Sequence, residues 1–152
     1  LAGPVQRGER RMKTKATQSD VLTVLARADA ARIKSFAETL ITPLGEIDVL
    51  QSRTGLVMLP MRDTAGGATF HLGEVLVSEA HVTRDGIDGY GMRRGRDLEA
   101  AMAMALVDLA RACGIETARC EAFCADEAIR QAQADRDTLR CVQATRVDME
   151  TF

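Results

Sequence analysis

Asp85-Gly86 constrains this chain more than any other pair of residues. Before it, Ala80 and Val82 alternate with Glu79, His81 and Thr83, and Ile87–Gly91 follows. That arrangement predicts a β-hairpin closed by a two-residue type I′ turn. The turn fixes the register: Arg84 faces Ile87, Val82 faces Gly89, His81 faces Tyr90 and Ser78 faces Arg93. The first strand, Thr69–Thr83, exceeds an average strand, and Gly73 is the expected site of a bulge that bends it. Gly89 and Gly91 leave one face of the second strand bare, so another backbone or a ligand can come close. That strand ends in Arg93-Arg94-Gly95-Arg96-Asp97, where Asp97 is a good N-cap. The helix it opens is expected to run to about Cys113 and to stop at Gly114.

The remaining elements arrange themselves around this hairpin. Val21, Leu22, Leu25 and Ala28 repeat at helical spacing from about Ser19. Asp29 can start a second helix carrying Ile33, Phe36, Ala37 and Leu40, ended by Pro43 and Gly45, or the two are one bent helix. Glu46–Gln51 reads as a half-exposed strand. Gly55–Arg62 is apolar on both faces, as in a strand covered twice, and Pro60 makes that strand an edge or a bulge. Leu98, Met102, Ala105, Leu106, Leu109 and Cys113 form the stripe of the helix after Asp97, with Ala100, Ala101 and Ala103 keeping its other sides slim. Residues 115–125 fit either helix or loop. Asp126 can cap a last helix to about Cys141, and residues 144–152 read as extended. The fold class expected is α+β, or two-layer α/β: an antiparallel sheet with a central long hairpin packed against several helices. A single domain is expected over residues 17–152, after a disordered basic tail over residues 1–16 in which Arg7, Arg10, Arg11, Lys13 and Lys15 outweigh Glu9.

Net charge is −2, so no overall field favours nucleic acid or an acidic membrane. No apolar run approaches the ~18–20 residues of a membrane span, and no signal-peptide core is evident, which points to the cytoplasm. Aromatics are only 3 % and Met numbers seven, so the core must be pliable and suits a chain that leans on a partner. Cys113, Cys120, Cys124 and Cys141 include no Cys-x-x-Cys pair and lie far from both histidines. They read as inert thiols rather than metal ligands.

Two groups of residues could carry chemistry. Arg93, Arg94, Gly95, Arg96 and Asp97 join fork-shaped donors to a helix start, which suits a phosphate or phosphonate oxygen. The same arginines equally suit a solvated hairpin end or the acidic residues of a partner protein. His71, Glu74, Glu79 and His81 could supply acid–base work if they converged, with Tyr90 opposite His81 as a packing partner. No nucleophile elbow, Walker-type loop or His-Glu-x-x-His is present.

Gly55-Leu56-Val57, Arg62, Gly67, Phe70, Gly73-Glu74, Ala80, Val82, Gly89-Tyr90, Gly95-Arg96-Asp97, Ala105-Leu106 and Asp108 also stand in a distinctive order. With Val24-Leu25-Ala26 before them and Ala144-Thr145-Arg146-Val147-Asp148 after, the chain resembles the PhnG family, the small G subunit of the bacterial carbon–phosphorus lyase core complex. It departs from the family in lacking an aromatic in the first helix and in having Met149-Glu150 after Val147-Asp148. The resemblance implies a subunit of a transferase, inactive alone. With partner subunits H, I and functionally L, it would displace adenine from MgATP with an alkylphosphonate to give a ribose 1-alkylphosphonate 5-triphosphate. The J subunit later cleaves the product after pyrophosphate removal. It further implies a two-fold core of G, H, I and J, with MgATP and alkylphosphonate as substrates of the complex and no cofactor bound by this chain alone.

Overall fold

A capping box starts the first helix. In the computed structural model, which describes residues 16–147, the Thr17 hydroxyl accepts from the Asp20 N–H while the Asp20 carboxylate accepts from the Thr17 N–H. Helix α1 (Gln18–Arg27) buries Val21 and Leu25. Ala28 is extended and Asp29 then caps the Arg32 N–H, so α2 (Ala30–Leu44) is a separate helix and not the bent continuation of α1. Pro43 sits in the last turn of α2, where one ladder bond is lost at most, and Gly45 ends the helix at φ +68°. Ile33, Leu40 and Leu44 are completely buried, each stabilising the fold by about 2 kcal/mol.

Three antiparallel strands follow in the order β1-β2-β3. They are β1 (Asp48–Arg62), β2 (Thr69–Arg84) and β3 (Ile87–Arg94). The two short strands expected over 46–51 and 55–62 are one strand. The segment between them lacks turn chemistry, and Gly55 continues the ladder opposite Val77. Two irregularities bend β1 against β2. One leaves Leu50 extra on β1. The other leaves Leu72 extra on β2, between Leu59↔Gly73 and Pro60↔His71. Pro60 therefore lies both on an edge strand and at a bulge, beside Gly73 as expected. The register of the β2–β3 hairpin is the one the Asp85-Gly86 turn dictates, with Asp85 at φ 51° and Gly86 at φ 78°.

Helix α3 (Leu98–Ala112) lies across the sheet and is the centre of the core: ten of its fifteen residues are buried. It comes unusually close to β3 because both surfaces are small. A Cβ added to Gly89 would fall 2.8 Å from the Leu109 nitrogen, and one added to Gly91 would fall 2.8 Å from the Ala105 nitrogen. The bare face of β3 thus receives another backbone, that of α3. Its last turn ends at Cys113, and Gly114 follows at φ +71°.

Two expectations change at the ends of the fold. Residues 115–125 are not an open segment; they begin α4 (Thr117–Ala144), a single 28-residue helix in which Asp126 is internal. No Gly or Pro interrupts the chain after Gly114, and the first turns are anchored by buried Cys120 and Cys124. Phe123 stacks on Phe36 of α2 with ring centroids 4.6 Å apart. The helix also absorbs Ala144, the start of the stretch expected to be extended. The rest of that stretch from residue 148, and the expected basic tail up to residue 15, lie outside the described residues.

The second change concerns Gly55–Arg62. This segment is not covered on both sides. Beyond the end of β3 it pairs only with β2, forming a two-stranded ribbon whose apolar side chains face solvent. Leu56 is 62 % exposed, Met58 61 % and Leu72 60 %.

Candidate functional site

The base of this ribbon, where β3 hands over to α3, brings together the five residues expected to bind an anion. They have three different fates. Arg93 points inward and donates through both terminal nitrogens to the carbonyls of Leu25 and Ala28, the latter at 2.6 Å. Those carbonyls end α1; that of Leu25 also accepts from the Ala28 N–H at 3.3 Å, and Arg93 supplies the Ala28 carbonyl and a second bond to Leu25. Burial pulls the Arg93 guanidinium below its ordinary pKa, opposed by Asp97, Asp29 and Glu127.

Gly95 is equally committed. At φ +102° its N–H donates to the Leu76 carbonyl at 2.9 Å, and its own carbonyl accepts from the buried Ser78 hydroxyl at 2.8 Å. Asp97 caps the Ala100 N–H and pairs with Lys34 at 2.8 Å, and the Lys34 contact before all others holds its carboxyl below the usual range. The helix start thus carries its own anion. Arg94 and Arg96 are exposed, and their side chains make no hydrogen bond or ion pair among the described residues.

Asp108 and Tyr90 form a second constellation. Asp108, 2 % exposed on α3, accepts from the backbone N–H of Tyr90 at 3.1 Å and from the Gln18 amide at 3.2 Å. It satisfies the edge of β3 and ties α1 to it. Burial raises its pKa, against the hydrogen bonds from Tyr90 and Gln18 and the charge of Arg111. The linkage sign follows: the folded chain holds the proton more tightly than the unfolded one, so this carboxyl costs stability as pH rises from about 3.8 through its folded pKa. Asp108→Asn keeps an acceptor and removes the charge. Its stability relative to the parent should therefore rise across the acid range and level off at neutral pH, as read by urea unfolding. Asp108→Leu instead orphans the Tyr90 N–H and should cost about 1–3 kcal/mol.

On the opposite face of the sheet the Tyr90 hydroxyl donates to Glu79 at 2.8 Å, and Arg53 pairs with the same carboxylate at 3.0 Å. Burial, followed by Glu79, pushes the Tyr90 pKa up to about 12, while the Tyr90 and Arg53 bonds lower that of Glu79. His81 stands edge-on to Tyr90, with ring centroids 6.2 Å apart, and 3.5 Å from Asp88. Glu79 and His81 therefore share a face. His71 lies out on the ribbon opposite Pro60, and Glu74 is opposite Met58, so the four acid–base candidates are not brought together.

The other residues of the sequence pattern hold structure. Arg62 donates to the Gly67 carbonyl across the ribbon tip, where Asp63 accepts from the N–H groups of Ala65 and Gly66. Phe70 is opposite Met61 and half exposed, and Gly73 adjoins the bulge. Arg146 follows α4 on the surface, while Asp148 lies outside the described residues.

Sequence reasoning missed Glu127. Only 2 % exposed, it pairs with the Arg32 Nε at 2.7 Å and accepts from the Asp29 N–H, fastening the α1–α2 turn to α4. The signal was present: Cys120, Cys124, Glu127 and Gln131 recur at helical spacing, which places two polar residues on a buried stripe.

Cys120 and Cys124 share that face, and burial raises both thiols, Cys120 to about 11. That makes them poor nucleophiles. Among the described residues no group of three or more His, Cys, Asp or Glu could hold a metal ion, and no helix is long and apolar enough to cross a membrane. A cavity of about 1020 Å³ lies between α1 and α4, lined by Asp20, Val21, Arg111, Glu121 and Cys124. It lies apart from the ribbon base and from the Glu79–Tyr90 pair.

Comparison with family models gives a match to the one described as phosphonate metabolism protein PhnG over residues 16–152. Comparison with curated proteins gives no match.

Proposed function

The chain belongs to the PhnG family, whose role is in phosphonate metabolism, and from that footing we propose that it is a subunit of the carbon–phosphorus lyase core complex rather than a free-standing enzyme. In this reading it is required when the complex ribosylates an alkylphosphonate with MgATP and releases adenine. Subunits H, I and J are its partners and L acts with them. MgATP and the phosphonate are substrates of the assembly, and this chain binds no cofactor of its own.

One observation carries the reading: the fold exposes apolar surface that the described residues leave uncovered. The ribbon from Leu56 to Met61 and from Phe70 to Leu72 stands in solvent, as do Leu139 and Val142 on the last turns of α4. Two-stranded ribbons are marginal in water, and apolar surface of this extent marks contact with another molecule. The scattered acid–base candidates agree with a chain that supports chemistry performed elsewhere.

The test is reconstitution. Subunits G, H, I and J expressed together, with L supplied, should release adenine from MgATP when methylphosphonate is present. Omitting this chain should abolish the reaction; full adenine release without it would sink the proposal.

A second reading, a free-standing anion-binding or scaffold domain without a catalytic role, draws on exposed Arg94 and Arg96. Calorimetric titration of the isolated chain with ATP, pyrophosphate and methylphosphonate separates the two. Tight binding without association with the I subunit favours the second, and negligible binding favours the first.

A further inference from the structure

We propose that the basic segment preceding Ala16, and Met12–Lys15 in particular, docks into the cavity between α1 and α4. The inference stands apart from the subunit reading above, since it concerns how the chain completes its own fold. The segment lies outside the described residues, but its point of attachment does not: Ala16 and Thr17 are themselves part of the cavity wall. The chain therefore enters α1 at the edge of a space of about 1020 Å³. The remaining wall is largely apolar, made by Val21 and Val24 of α1 and by Cys124, Ala125 and Ala128 of α4. Packed interiors leave few voids larger than a water molecule, so this space stands out as room for an occupant.

Three polar groups on the wall specify what enters. The Arg111 Nε–H is buried and has no acceptor among the described residues. Such a donor is rare, and a backbone carbonyl would satisfy it. Asp20 uses only Oδ2, toward Thr17, and Glu121 forms no hydrogen bond or ion pair among the described residues. Two carboxylates against one guanidinium leave the wall with excess negative charge, which disfavours a free anion and favours a cationic occupant. The segment before Ala16 carries Arg7, Arg10, Arg11, Lys13 and Lys15 against Glu9 alone.

Its residue order and reach fit as well. In an extended run alternate residues face opposite ways, so Lys13 and Lys15 share the side toward the carboxylates, and Met12 and Thr14 share the other. The four residues from Met12 to Ala16 reach up to ~13 Å, and α1 rises ~10 Å from Thr17 to Val24. Met12 thus arrives where Val24 and Ala128 line the cavity, with a side chain that fills irregular gaps. Tethering then decides among occupants. A segment joined to the wall itself is present at an effective concentration of about millimolar, so a peptide from another chain would have to displace it.

Hydrogen exchange by mass spectrometry on the full chain, at two protein concentrations, tests the inference. Amides of Met12–Lys15 should exchange at least tenfold more slowly than those of the same sequence as a free peptide. Met12→Asp puts a charge at the apolar end of the cavity, and Glu121→Lys reverses a carboxylate at an exposed position. Each should remove most of that protection and leave the amides of α2 and α3 unchanged. Exchange at the free-peptide rate in the unaltered chain overturns the inference and restores the expectation of a disordered tail. Protection that survives both substitutions also overturns it, since the segment then docks elsewhere. So does protection that appears only as the chain dimerises, which makes a second copy the donor of the segment. None of these outcomes bears on the subunit reading, whose own test is reconstitution.

Discussion

Gly91→Ala is expected to leave little folded protein, or to lower the melting temperature by more than about 10 °C, with Gly89→Ala close behind. The new methyl would fall well inside 3.0 Å of the Ala101 carbonyl oxygen and 2.8 Å from the Ala105 nitrogen. These are backbone atoms of α3, the most buried helix, so no side-chain rotation relieves the clash. Ordinary overpacking costs about 1–3 kcal/mol because side chains move. Here helix and strand must separate, so the cost should reach about 4 kcal/mol or more. Gly55→Ala and Gly73→Ala provide the contrast. A Cβ at either position meets nothing within 4 Å, and neither glycine has a positive φ. Those variants should melt within a few degrees of the parent by circular dichroism. If Gly91→Ala did the same, α3 would have to be able to lift from β3 at little cost.

Arg93→Met should destabilise the chain by about 2–4 kcal/mol, whereas Arg94→Gln and Arg96→Gln should each lie within about 0.5 kcal/mol of the parent. Met fills much of the same space but cannot donate, so the Ala28 carbonyl loses its guanidinium donor and the Leu25 carbonyl keeps only the Ala28 N–H. Arg93→Lys should fall between, since an ammonium lacks the planar fork. Urea unfolding of the isolated chain gives the ranking. Equal losses for the three arginines would mean that the end of α1 does not depend on Arg93. The expected split also bears on function. Defects from Arg93 substitution would report stability, while defects from Arg94 or Arg96 substitution would report contact with another molecule.

Much of the fold was legible because its signals are local. Asp85-Gly86 dictates the backbone twist of a hairpin regardless of context, so every β2–β3 pair could be named from it. Asp29 and Asp97 cap helices through bonds spanning three residues, and Gly114 stops one through its own φ. Pro60 marks a bulge at an edge because a missing N–H has the same consequence in any sheet. The continuous α4 was less legible, since Asp126 has the chemistry of a cap. Only the burial of Cys120 and Cys124 and the stacking of Phe123 decide that the helix begins earlier.

The sequence by itself determined the hairpin, its register, the starts of α2 and α3 and the family pattern. Tertiary structure alone decided what the patterned residues do. Three arginines within four residues look alike in a string, yet one is spent on carbonyls more than sixty residues away while two face solvent. Asp108 and Glu127 carry no role that a string of residues shows until packing places them under a strand edge and a helix turn. The run from Leu56 to Met61 reads as core because apolar periodicity reports only that a face prefers to leave water, not which molecule will cover it. Among the described residues nothing covers it, and that exposed ribbon is what makes the protein a subunit in the reading proposed above.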